Sequence, residues 1–277
     1  MSIKRVITAV IGLPIVIAVL LISNKYIIDV LLAAVGVIAM HEYIKSAANK
    51  EIKVIKWISY LSVLAIACIH LIPNWLYVNI LIFSVPIILL ILFFHVIVTN
   101  MKITFKDVAF TLLGIIYVFS FLAFLAAIFG MEGTISGKKL IWYVFFAAWG
   151  TDVFAYFMGC KFGKHKFSKV SPKKSIEGCI GGLIGCVAFY LIYTYFLNNN
   201  VDGLEINYIL AGCLGFLVSI VSQIGDFAAS SIKRFCEIKD YSEIMPGHGG
   251  ILDRFDRILL ISPLVYACLT LINMGIL

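Results

Sequence analysis

Four aspartates in the second half of the chain lie in or against strongly apolar sequence. Asp152 sits in Trp149-Gly150-Thr151-Asp152 and Asp226 in Gln223-Ile224-Gly225-Asp226, while Asp253 and Asp256 open the last apolar run. Inside a membrane an ionisable group costs at least about 2.5–3.5 kcal/mol on insertion scales, so each acid needs a partner or a role. On a helix Asp253 and Asp256 fall one turn apart on one face. Carboxylate oxygens at a common depth suit Mg²⁺, which binds through one or two carboxylates plus substrate phosphates. The alternative is a set of structural ion pairs with Arg254, Arg257, Lys233 and Arg234. Several acids converging beside a basic loop favour the functional reading.

The basic residues raise the question of which anion they meet. Ser171-Pro172-Lys173-Lys174-Ser175 is followed by Glu177-Gly178 and Gly181-Gly182 at the start of an apolar run. A helix N-terminus with close-approach glycines and adjacent lysines is a ready phosphate site. For Lys161, Lys164, Lys166 and Lys169, anchoring to anionic lipid heads is the better account, at about 1 kcal/mol per Lys. For Lys173 and Lys174 both readings stand. Gly159 and Gly163 read as turn residues. His248, in Pro246-Gly247-His248-Gly249-Gly250, is placed to contact phosphate or tune a carboxylate, or else to bond within its own turn. His41, His70 and His95 read as packing or interfacial residues, and Glu42 as the residue ending the second helix at the interface. The seven cysteines include no C-x-x-C pair, so no zinc or redox chemistry is inferred.

The elements that position these groups follow from composition. The 277 residues are 62% hydrophobic and 13% charged, with a mean hydropathy of +1.05. Soluble domains are about 45–50% apolar and about 25% charged. This chain cannot cover a water-facing surface, and disordered and secreted disulfide-rich classes are excluded as well. Apolar runs long enough to span a bilayer occur at 7–23, 26–44, 55–73, 76–99, 107–129, 140–158, 178–197, 206–229 and 252–275. The chain is therefore expected to be an all-α polytopic bundle of about nine transmembrane helices, N-terminus cytoplasmic. A single membrane-embedded domain is expected, with N-terminal helices over 1–139 and catalytic helices and loops over 140–277. No fixed-period repeat is present.

Charge sorting sets the orientation. With the N-terminus inside, Lys25, Lys138 and Lys139 fall outside and the other nineteen of the 22 Lys and Arg residues fall inside. Asp152 then lies about 10 Å and Asp226 about 5 Å from their cytoplasmic helix ends. The net charge of +7 reads as partly lipid anchoring and partly grip on an anionic substrate. No nucleic-acid partner is inferred from it.

Several blocks carry a family resemblance. The run Ser230-x-Ile232-Lys233-Arg234-x₄-Lys239-Asp240-x-Ser242-x₃-Pro246-x-His248-Gly249-Gly250-Ile251-x-Asp253-Arg254-Phe255-Asp256 closely resembles the phosphatidate cytidylyltransferase (CDP-diacylglycerol synthase) signature. Asp152-x₃-Tyr156-x₂-Gly159, Phe162-Gly163-Lys164, Ser171-Pro172-Lys173-Lys174-Ser175 and Glu177-Gly178 resemble further blocks of that family in the same order. Met245 stands where Leu, Ile or Phe is usual and Ser175 where Thr is common, and both keep the property that matters.

The resemblance implies transfer of CMP from CTP to phosphatidic acid, giving CDP-diacylglycerol and pyrophosphate. It implies that Asp226 and Asp253 hold a catalytic Mg²⁺ with Asp256 in support, and it allows K⁺ as a second cation. Lys173, Lys174, Ser175, Lys233, Arg234, Lys239 and Arg254 would bind the phosphates, Asp152 and Tyr156 would line the pocket, and His248 would assist. It also implies membrane lipids as surroundings, a homodimer, and a bacterial inner membrane with the site facing the cytoplasm. Two other classes fit parts of the pattern. A CTP-dependent lipid kinase would use similar acids but attack the terminal phosphate. A cation transporter explains the membrane acids but not the lysine-rich loop and the Gly-His-Gly-Gly turn on the same side.

Overall fold

The computed structural model describes residues 3–73, 76–166, 171, 174–202, 204–245, 247 and 249–273. Among these every regular element is helical. We number the helices α1 (Ile3–Ile22), α2 (Lys25–Ala48), α3 (Lys56–Leu64), α4 (Tyr77–Val98) and α5 (Phe105–Phe129). They continue as α6 (Gly137–Phe162), α7 (Ile176–Asn200), α8 (Tyr208–Phe235) and α9 (Leu252–Asn273). Each expected apolar run falls on one of them. Seven are long and apolar enough to cross a membrane, and two shorter apolar stretches, Val10–Ile22 and Lys56–Leu71, complete the set. The second of these gains reach because α3 tightens into a 3₁₀ helix over Ala65–Leu71. At about 2.0 Å rise per residue there, the 16-residue stretch extends to about 27 Å, close to a hydrocarbon thickness. The chain is an all-α, multi-pass membrane protein. Exposed apolar side chains such as Phe83, Leu90, Phe94 and Ile97 on α4 are the surface such a protein presents to lipid.

Local sequence fixes the helix ends. Asn24 caps α2 by accepting from the Ile27 N–H at 2.9 Å. Thr104 and Asp107 form a reciprocal capping box at the start of α5, and Asp107 also accepts the Lys53 N–H at 2.6 Å. Ser175 caps α7 through the Gly178 N–H at 3.1 Å. At the end of α8 the chain turns left-handed at Glu237 (φ 57°), with Ile238 N–H returning to the Lys233 carbonyl at 2.9 Å. α6 and α8 run on to Phe162 and Phe235, past their apolar cores. Asp152 and Asp226 thus lie about 14–15 Å from their helix ends, farther than the ends of the apolar runs implied. Their last turns carry polar residues that stay helical, which a hydropathy count does not register.

The chain resolves into two compact units, Met1–Ala127 with Lys233–Phe255, and Ile128–Ile232 with Asp256–Leu277. In the first, α2, α3 and α5 share a core. A Cβ on Gly36 would sit 2.5 Å from Val63 Cγ1 and 2.9 Å from Leu122 Cδ1, so a larger residue would force those side chains to move. Tyr43 stacks on Phe110 at 4.9 Å between ring centroids and donates to its carbonyl at 3.0 Å. A π-helical turn over Ile116–Ser120 interrupts α5.

In the second unit α6 and α7 pack closely through α7's glycines. Added Cβ atoms would meet Met158 Cβ at 2.4 Å from Gly181, the Thr151 carbonyl at 3.0 Å from Gly182, and Phe154 Cγ at 2.3 Å from Gly185. This is small-residue packing between spans. It corrects the phosphate reading of Gly181 and Gly182, whose missing side chains make room for α6.

Candidate active site

In the second unit, α6, α7, α8 and α9 surround a cavity of about 590 Å³, a size typical of small-molecule sites. Its lining includes Thr151, Asp152, Tyr156, Lys174, Ser175, Cys179, Gln223, Asp226 and Arg257. Position follows from sequence at each wall. The capping role of Ser175 fixes the first turn of α7 and with it Lys174, whose ammonium lies 3.9 Å from the centre of the Phe227 ring. Gln223 donates to the Cys179 carbonyl at 3.1 Å, and Thr151 and Ser219 share a 3.1 Å hydroxyl hydrogen bond. Gly225 lets α9 approach, since a Cβ there would lie 3.2 Å from the Asp256 carbonyl.

The charges of this cavity are paired across three helices and the α7 entry. Arg257 bridges Asp152 on α6 and Asp226 on α8, the latter at 2.6 Å from its second guanidinium nitrogen. Lys174 pairs with the same Asp226 oxygen. The Asp226 side chain is 14% exposed and that of Asp152 49%, so the cluster forms an open wall rather than a sealed core. Four formal charges sum to zero.

A second arrangement of acids lies within the first unit. Lys233 pairs with Asp253 Oδ1 at 2.6 Å. Asp253 Oδ2 accepts the backbone N–H groups of Tyr241 at 2.8 Å and Gly250 at 2.9 Å. Glu42 is buried and accepts from Ser242 Oγ at 2.5 Å, Ile251 N–H at 3.0 Å and Leu252 N–H at 2.8 Å. Gly250 makes this possible, since a Cβ there would stand 2.6 Å from the Glu42 carboxylate. The expectation that Glu42 ends α2 at the interface is therefore corrected. α2 continues to Ala48, and Glu42 is an internal anchor for the segment before α9. Arg234, Lys239 and Arg254 of this unit are exposed, and the Arg234 guanidinium donates to the Ile238 carbonyl at 3.3 Å.

Of the residues expected on the sequence, Asp152, Tyr156, Lys174, Ser175 and Asp226 are gathered at the second unit's cavity. Asp256, also in this unit, is buried and accepts the Arg257 N–H at 2.8 Å. Lys233 and Asp253 are paired in the first unit. Lys173 and His248 lie outside the described residues. Among the described residues, no three His, Cys, Asp or Glu side chains form a group able to hold a metal. As donors, Asp152 and Asp226 offer two carboxylates on one cavity wall, a set that fits Mg²⁺ completed by waters and phosphate oxygens. Arg257 was read only as a possible structural partner of the acids, and Gln223 was not singled out. A cation in the first turns of a span, and an amide one turn before Asp226, were the available signals.

Glu177 bonds to His165 through both its backbone N–H, at 3.2 and 3.3 Å, and its ring Nδ1, at 2.6 Å. This fastens the described part of the α6–α7 connection to the start of α7.

Residues 3–272 match the profile of the Cytidylyltransferase family. The chain is 33% identical over 263 residues to the phosphatidate cytidylyltransferase of Staphylococcus haemolyticus, covering 94% of this chain and 96% of that one. It is 32% identical over 279 residues to that of Bacillus subtilis, covering 98% of each. The Thermotoga maritima phosphatidate cytidylyltransferase matches at 36% over 163 residues, 58% of this chain and 59% of that one. With the match running through all nine helices, the chain belongs to the cytidylyltransferase family and is a nucleotidyltransferase.

Proposed function

We propose that this protein transfers the cytidylyl group of CTP to phosphatidic acid, forming CDP-diacylglycerol and releasing pyrophosphate. The observation that carries the reading is the cavity in which Asp152 and Asp226 face Lys174 and Arg257. Family membership and the relatives' activity support it. An oxygen of the lipid phosphate attacks the α-phosphorus of CTP. A new P–O bond forms, the bond from the α-phosphorus to the bridging oxygen breaks, and the electron pair leaves with pyrophosphate.

The lipid phosphate is already a nucleophile, so the site needs alignment and charge neutralisation more than a strong base. Lys174 and Arg257 supply cations for phosphate oxygens, and Ser175 and Tyr156 line the space beside them. Asp226 is our assignment for Mg²⁺, with Asp152 as its neighbour in the cavity. Asp253 and Asp256 are further acids assigned to the cation on the family resemblance, as is K⁺ as a second ion. Mg²⁺ would supply Lewis-acid neutralisation of charge on the reacting phosphates. Lys173, Lys233, Arg234, Lys239, Arg254 and His248 are assigned to phosphate binding or its support on the same resemblance. We further assign the protein to a bacterial inner membrane, as a homodimer, with the site on the cytoplasmic side where positive-inside sorting places the basic loops.

The test is release of pyrophosphate by purified protein. Release requiring CTP, phosphatidic acid and Mg²⁺ together is expected, and CTP turnover indifferent to the lipid would refute the proposal.

A further inference from the structure

Arg257 occupies an unusual position for a residue of a membrane span. Its guanidinium bridges two carboxylates on different helices, Asp152 and Asp226, and Lys174 competes for the same Asp226 oxygen. A buried ion pair that serves structure alone is most effective when sealed and fully hydrogen-bonded. Here Asp152 is half exposed and all four side chains line a cavity large enough for a ligand. Among the described lining residues the local charge is already balanced, so an entering phosphate meets cations that already hold carboxylates, and an entering divalent cation meets carboxylates that already hold Lys174 and Arg257.

We propose that Arg257 is a resident counter-cation that exchanges partners. Without ligand it neutralises Asp152 and Asp226. When a divalent cation takes those carboxylates, the guanidinium turns to the phosphate oxygens of the nucleotide. No bond is made or broken; only ion pairs are exchanged. The planar, forked guanidinium suits both states, because carboxylate and phosphate accept it in the same bidentate geometry. Lys174 can shift in the same way. The consequence is coupling: cation and nucleotide each release what the other needs, so each favours the other's binding.

This inference rests on the proposed cytidylyl transfer but is tested apart from turnover. Mn²⁺ binding to purified protein without nucleotide, followed by electron paramagnetic resonance, is compared in the parent and Arg257→Gln. Retention of labelled CTP at saturating Mn²⁺, without phosphatidic acid, is compared in parallel. Opposite signs are expected: Mn²⁺ bound about tenfold more tightly by Arg257→Gln and CTP about tenfold more weakly. Arg257→Lys, which keeps a charge but not the fork, should fall between, and it takes the place of Arg257→Gln if that variant does not fold. Mn²⁺ binding unchanged or weaker, or CTP retention unchanged, would overturn the exchange. Failure of the parent to release pyrophosphate would instead sink the functional reading on which the exchange depends.

Discussion

Two groups of acids, one in each unit, hold different kinds of partner. In the first unit three carboxylates grip backbone: Glu42 takes the N–H groups of Ile251 and Leu252, Asp253 those of Tyr241 and Gly250 beside its Lys233 pair, and Asp107 that of Lys53. In the second, Asp152 and Asp226 grip the side-chain cations Arg257 and Lys174. A backbone N–H leaves its acceptor only if the segment moves, whereas a side-chain cation leaves by rotating. The first arrangement fixes a segment of chain; the second can open to a ligand. Intramembrane acids are costly in both places, so partner type together with exposure separates scaffold from site.

Four substitutions can break or sharpen this contrast. Asp226→Asn should have the largest effect, lowering turnover by about 10³-fold while thermal stability changes by about 1 kcal/mol or less, because the pair is partly exposed and Arg257 keeps Asp152. If melting collapsed along with activity, Asp226 would belong with the scaffold. Glu42→Ala should do the reverse, costing about 3–5 kcal/mol in a denaturation assay because it strands buried donors around a lost charge. A melting temperature indistinguishable from the parent's would remove Glu42 from the scaffold set.

Asp253→Asn is the intermediate case, since Asp253 holds backbone N–H groups while the family resemblance also assigns it to the cation. The neutral amide weakens the acceptor for two N–H groups and the Lys233 pair, so a loss of about 1.5–3 kcal/mol is expected in the same assay. A stability loss no larger than for Asp226→Asn would contradict the sorting. The smallest effect is expected at the exposed Lys50–Glu237 pair, whose hydrogen bond and charge hold the Glu237 carboxyl below its usual range. A carboxyl with a depressed folded pKa stabilises above its unfolded pKa and loses that contribution as pH falls through the folded value. Lys50→Met should therefore shift the acid-unfolding midpoint slightly upward, with no change at neutral pH beyond that of an exposed pair.

Much of this was legible in the sequence. Apolar runs located all nine helices because burial in lipid demands continuous apolar length. Asp152, Tyr156, Lys174 and Ser175 were recognisable through the family blocks that carry them and Asp226 as an acid inside a span, though on the sequence Asp226 groups with Asp253 and Asp256. The role of Glu42 was not, since its hydrogen bond to Ile251 spans 209 residues and nothing local marks the partner. Arg257 was visible as a charge in a span, but its choice of Asp152 and Asp226 depends on how α6, α8 and α9 meet. Gly181 and Gly182 misled because a glycine can admit a phosphate or a helix equally well. Their contacts with Thr151 and Met158 decide for the helix.

The most direct test of the proposed reaction is the fate of label from CTP in a single incubation with phosphatidic acid and Mg²⁺. With label at both the α- and γ-phosphorus, the account predicts that α-label enters the lipid one for one with γ-label released as pyrophosphate. Gamma-label in the lipid, with CDP left in solution, would contradict it.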